Sequence, residues 1–145
     1  MLRRDVSLLN FHDARILSEK NCDSFYRGKD KKKKLSLNKI EAQDLEDLCS
    51  KSVDDLTLDD KIYLQKLFIL SSLYEHINKG TYIAEFILPF PLIPIVKDWV
   101  SAKGYAISPT PIDYSYSYID EDGFWKFHEA KPLDPAIVCN YRILW

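Results

Sequence analysis

Apolar residues in the first half of the chain recur at intervals of three and four, the spacing that lines one face of a helix. Over residues 5–20, Val6, Leu8, Leu9, Phe11, Ile16 and Leu17 keep this spacing unevenly, which predicts a first, imperfectly amphipathic helix. Asp23, Ser24, Gly28 and Asp30 lead into four consecutive lysines, so residues 22–34 are predicted as a loop. A second helix is expected over about 38–51, burying Ile40, Leu45 and Leu48. Ser36 or Asn38 can cap it, and Asn38 with Glu41 has the spacing of a capping box. Thr57-Leu-Asp-Asp is the clearest helix start, because Thr57 can cap while Asp59 and Asp60 sit at the positive end of the helix dipole. Ile62, Leu64, Leu67, Phe68, Leu70, Leu73, Tyr74 and Ile77 follow, and Asn78-Lys79-Gly80 should end the helix at a glycine. With Ile69 the stripe runs almost around the cylinder, so this third helix is predicted to be central.

After Gly80 the pattern changes. Residues 81–88 are rich in β-branched and aromatic side chains and predict a strand. Pro89, Pro91 and Pro94 impose an extended connector, and Pro94 suits the first turn of a short helix carrying Ile95, Val96, Trp99 and Val100. Further strands are expected over 105–108 and 112–119, the second with Tyr114, Tyr116 and Tyr118 on one face and Ser115 and Ser117 on the other. Asp120-Glu-Asp-Gly123 turns the chain into a return strand over 124–128. A last strand over 136–145 is expected inside the sheet, with Ile137, Cys139, Tyr141, Ile143 and Trp145 facing the helices. The sum is one α+β domain over 1–145, with N-terminal helices (mainly 1–80) packed on a C-terminal antiparallel sheet (mainly 81–145). Leu67, Phe68, Leu70, Trp99 and Ile143 are expected to meet in its core.

Composition agrees with a folded domain. The chain has 145 residues, 46% hydrophobic and 29% charged, and only four glycines, too few for glycine-rich phosphate loops. Charged residues and prolines interrupt its most apolar stretch, residues 82–100, so no membrane span is expected. Asp5, His12, Asp13 and Arg15 leave no apolar run for a signal peptide, and a cytoplasmic compartment is expected (host cytoplasm or virion if the chain is viral). Cys22, Cys49 and Cys139 are odd in number and far apart, which reads as reduced thiols. Charge is segregated: residues 1–40 hold eleven lysines and arginines against five acids, and residues 41–60 hold eight acids against one lysine. Sixteen of the nineteen aromatic residues follow Asp60.

The run Ile93-Pro-Ile-Val-Lys-Asp-Trp-Val-Ser-Ala-Lys-Gly-Tyr-Ala-Ile-Ser, with the late strand Tyr141-Arg-Ile-Leu-Trp145, resembles the end of small α+β proteins of large tailed bacteriophages. In those, a proline-initiated helix passes through Gly-Tyr into a strand, and the last strand finishes on an aromatic residue. The resemblance covers about a fifth of the chain and implies a viral accessory or structural protein without assigned chemistry.

Candidate chemistry is sparse. His12-Asp13 resembles the dipeptide of metal-dependent phosphohydrolases, but His76 and His128 stand at no ligand spacing, and solvated helix residues are the simpler reading. Cys139 and His128 fall on strands expected to be neighbours, which admits a Cys–His nucleophile, although the run around Cys139 reads as buried strand. Arg27, Lys29, Lys31, Lys32, Lys33, Lys34 and Lys39 form a cationic cluster suited to phosphates or an acidic partner, with Phe25 and Tyr26 near enough in sequence to stack on bases. A loop whose charge is answered by the acidic segment explains the cluster equally. The tyrosine face at 114, 116 and 118 either packs on a helix or, if exposed, marks an interface, and Trp145 packs either in the core or on a partner.

These features favour a non-enzymatic interaction or assembly protein, with other proteins as partners, no cofactor and no small-molecule substrate. Two alternatives stay open: nucleic-acid binding through the basic cluster, and an enzyme using Cys139 and His128.

Overall fold

A computed structural model describes residues 6–27, 34–110, 116–128 and 139–145, with the backbone alone at 23–27, 116 and 128. The elements are α1 (Phe11–Arg27), α2 (Lys39–Cys49), a 3-10 turn (Val53–Asp55), α3 (Leu58–Lys79), β1 (Ile83–Ile87), α4 (Pro94–Ser101), β2 (Ala106–Pro109), β3 (Tyr116–Ile119), β4 (Trp125–His128) and β5 (Asn140–Leu144). The chain is an α+β protein with α1 to α3 ahead of β1, antiparallel strands in the C-terminal half and the short α4 between β1 and β2. Among the described residues, no helix is long and apolar enough to cross a membrane.

Local chemistry sets both ends of α3. The Thr57 hydroxyl accepts the Asp60 amide, and Gly80 closes the helix at φ 79°, in the left-handed region where a glycine has no penalty. A β-carbon at Gly80 would also stand 2.6 Å from the backbone nitrogen of Cys22, so α1 passes too closely for any side chain there. Tyr63, Leu64, Leu67, Ile69, Leu70, Leu73 and Ile77 of α3 are all buried in the main core, and α1, α2, α4 and β1 each pack against this helix. Of the five residues expected to meet there, Leu67, Leu70 and Ile143 are fully buried, while Phe68 and Trp99 are partly buried against them.

The three-stranded sheet has the order β1–β5–β2, both pairings antiparallel. β1 and β2, joined through α4, therefore run parallel with β5 between them. The last strand lies inside the sheet as its apolar run predicts. Tyr141, Ile143 and Trp145 are buried, whereas Leu144 on the other face is exposed. The Trp145 indole N–H donates to the Ser18 hydroxyl at 2.9 Å and meets the Tyr105 ring edge-on. Residues 136–138 of the predicted strand lie outside the described residues.

Two buried side chains fix the proline connector. The Gln65 amide nitrogen donates to the Phe90 and Pro91 carbonyls at 3.3 and 2.9 Å, and its oxygen accepts the Ile93 N–H at 3.0 Å. The Tyr141 hydroxyl accepts the Leu92 N–H at 2.9 Å. Backbone groups that no ladder can satisfy are thus paired by side chains.

The first helix begins and ends later than its spacing suggests. Asn10 caps it by accepting the Asp13 amide, and residues 6–10 lie outside any helix or strand. Val6 and Leu8 are buried while Ser7 is exposed, a strand-like alternation embedded in apparent helical spacing. Trp99 donates its indole N–H to the Val6 carbonyl and Tyr105 its hydroxyl to the Leu9 carbonyl, which fastens this segment. The predicted loop from residue 22 is helical through Arg27, because α1 continues along α3 with the Asn21 amide bonded to the Ile77 carbonyl. In α2 the capping box forms as expected, but Ile40 is exposed: among the described helices and strands α2 packs on α3 alone, and Leu48 is buried there.

Leu67 lies at the centre of this core, so Leu67→Ala is expected to cost about 2–5 kcal/mol in urea unfolding. A loss below about 1 kcal/mol would show that α3 does not organise the core. Burial, with smaller contributions from Tyr74 and Asp13, raises the Tyr105 hydroxyl well above its ordinary pKa of 10.0. Once pH passes that ordinary value the unfolded chain loses the proton first, so stability is intact below pH 10 and falls above it. Between pH 8 and pH 11 the wild-type urea midpoint should drop further than that of Tyr105→Phe. Equal drops would remove Tyr105 as a cause.

Candidate functional site

β3 and β4 form a hairpin whose turn explains its shape. Gly123 adopts φ 84° and donates its N–H to the Asp120 carbonyl, and the Asp120 N–H donates to the Phe124 carbonyl at 2.9 Å. The Asp120 carboxylate accepts the Asp122 and Phe124 amides at 3.0 and 2.9 Å and pairs with Lys126 at 3.7 Å. This is a three-residue hairpin loop with glycine at the left-handed position. Among the described helices and strands, β3 and β4 contact only each other.

Register sorts the side chains. Ile119 pairs with Trp125 and Ser117 with Phe127, so these four share one face; Tyr118 pairs with Lys126 on the other. Ile119 is 58% exposed, Trp125 74% and Phe127 63%. Among the described residues the face holds no charged side chain: Asp120, Glu121 and Asp122 lie in the turn and Lys126 is on the other face. The sequence reading weighed only the tyrosine side of this hairpin. Alternation tells which residues share a face but not whether anything covers it.

The remaining candidates scatter. Tyr114 lies outside the described residues, Tyr116 is described as a backbone position in β3, and Tyr118 is 44% exposed. Trp145, at 8% exposure and bonded to Ser18, packs inside the domain and leaves the interface set. Arg27 ends α1, Lys34 and Lys39 are exposed, and Lys29, Lys31, Lys32 and Lys33 lie outside the described residues. The expected Cys139–His128 neighbourhood does not form: β1 and β2 occupy both sides of β5, and β4 pairs with β3. Cys139 is half-buried just before β5, and its carbonyl accepts the Leu88 N–H. His12 is exposed and stacks on Phe11 at 4.0 Å, and the His76 ring nitrogen Nδ1 lies 2.8 Å from the Ser72 carbonyl. Among the described residues, no three His, Cys, Asp or Glu side chains converge on a metal position. A cleft of about 500 Å³ between residues 35–37, α2 and α3 is walled by Leu35, Leu37 and Leu45, with Tyr74, Glu75 and Asn78 at its polar side. Asn78 there exchanges two hydrogen bonds with the Leu35 backbone, so its amide serves the fold.

Compared with known proteins, the chain matches no family model, no curated protein and no solved structure.

Because Asp120 satisfies two turn amides, Asp120→Ala should open the hairpin by about 1–3 kcal/mol. Amide exchange at Tyr118 and Lys126 should quicken by tenfold or more while the melting temperature of the body stays unchanged. Unaltered exchange would show that the carboxylate does not hold the turn.

Proposed function

We propose that this chain is a non-enzymatic interaction or assembly protein that docks other proteins through the apolar face of the β3–β4 hairpin. The observation that carries the reading is the exposure of Ile119, Trp125 and Phe127 together, on two strands that contact no other described helix or strand. Exposed aromatic residues are the composition of an interface centre, and Trp is among the residue types most enriched in binding hot spots. A two-stranded hairpin is marginal in water on its own, so packing against a partner stabilises it as well as burying apolar area. A virion or accessory component of a tailed bacteriophage is the setting that the sequence resemblance implies for such a protein.

The double variant Trp125→Ser, Phe127→Ser tests this reading. It should abolish the protein associations of the wild-type chain, seen by light scattering and cross-linking, and keep the melting temperature within about 2 °C. In a chain of this size about 1 kcal/mol moves that temperature by roughly 2–4 °C. A fall of more than about 6 °C would place the face in the core, and intact association would place the interface elsewhere; either result overturns the proposal.

A further inference from the structure

One end of the three-stranded sheet holds polar groups that the fold does not use. Ile87 pairs with Asn140, whose carbonyl accepts the Thr110 N–H, so these residues form one row across β1, β5 and the position after β2. Glu85 and Arg142 belong to the next row. Alternation puts all five on the outer face, opposite the buried Tyr141 and Ile143. There Glu85, Ile87, Thr110 and Asn140, with Phe86 and Tyr141, line a cavity of about 260 Å³. Ser18, Gln65 and Thr110 are the buried polar residues among those described. Ser18 and Gln65 are paired, while the Thr110 hydroxyl, in a residue only 7% exposed, has no hydrogen-bond partner. A buried hydroxyl is as a rule bonded by protein, water or ligand, and its place on the wall of a cavity points to a ligand.

We propose that this cavity binds a small uncharged polyol, one sugar ring being the fitting form. Charge decides the class. One Glu85 carboxylate oxygen accepts both Arg142 Nε and Nη2, at 3.0 and 2.7 Å, so the pair is neutral in sum. A ligand carboxylate would meet Glu85, and a ligand ammonium would meet Arg142. The hydrogen-bonding capacity that remains is mixed: the second Glu85 oxygen accepts, while the Thr110 hydroxyl and the Asn140 carboxamide each donate and accept. Adjacent hydroxyls match that set because each of them does both. Ile87, 68% exposed, offers apolar contact to the C–H face of a ring. The volume falls below the roughly 300–1,000 Å³ of drug-sized sites, which limits the ligand to about one ring. So few contacts imply a Kd of about 1 mM.

Amide NMR shifts of the full chain test the site, with glucose, galactose and mannose titrated to about 50 mM, well above such a Kd. Acetate and methylammonium are the charged probes. At least one sugar should give saturable shifts at Ile87, Thr110 and Asn140, and neither charged probe should. A free sugar and the end of a glycan share this chemistry; methyl glycosides, whose anomeric hydroxyl is blocked, mimic only the second, and binding of either form agrees with the inference. Thr110→Val keeps the shape without the hydroxyl and should weaken binding at least fivefold, with the melting temperature unchanged or raised. Asn140→Ala should weaken binding likewise. Trp125→Ser, Phe127→Ser should leave the shifts intact, so this site and the hairpin stand or fall separately. The inference is overturned if no sugar gives saturable shifts, if acetate or methylammonium binds at the same amides, or if binding ignores both Thr110→Val and Asn140→Ala. A melting temperature more than about 4 °C lower in Thr110→Val would show that the fold itself uses the hydroxyl, and would overturn it too.

Discussion

Every backbone hydrogen bond that joins the described three-stranded sheet passes through β5. β1 and β2 follow each other through α4 yet do not pair, and each depends on a strand that arrives only after the whole hairpin has been traversed. Closing those loops costs entropy before any ladder bond repays it. The inward side chains of β5 reach different parts of the body: Tyr141 the proline connector, Ile143 the main core, Trp145 the Ser18 hydroxyl of α1. Sheet and helical layer are therefore completed by the same strand, and weakening β5 loosens both.

The helical layer shows how apolar burial and polar satisfaction divide the work. α3 supplies most of the buried aliphatic surface, each large side chain contributing roughly 1.5–3 kcal/mol. The amide of Gln65 sits among them, fully buried and with both ends bonded to connector backbone. Left unpaired, such a group costs about 1–3 kcal/mol, so the helix and the connector stabilise each other. Among the described residues Thr110 is the exception, its buried hydroxyl having no hydrogen-bond partner.

What could be read from the sequence was what local chemistry decides. Thr57, Gly80, Asn38 with Glu41, Pro94 and the Asp120–Gly123 turn carry their signals within a few residues, and each stands where those signals point. Readings failed where two patterns overlapped or where contact decided. Val6 and Leu8 precede the helix in a segment that is neither helix nor strand, yet with Phe11 they mimic helical spacing. Ile40 is apolar on a helix that, among the described helices and strands, packs on α3 alone. The hairpin itself was legible, including its strands and turn. Its apolar face is not legible from the alternation within β3, because Trp125 and Phe127 come from β4 and share a face with Ile119 only through the register.

The connector over residues 89–93 carries one more consequence. Its carbonyls and amides are held by Gln65 and Tyr141, which lie on a helix before it and a strand after it. The instructions for its shape are therefore written outside it. Grafted into another protein, those five residues would bring their proline restraints but not their path. Within this one, the distant glutamine and tyrosine set the backbone path, and Phe90, Leu92 and Ile93 fill the space it leaves beside the core.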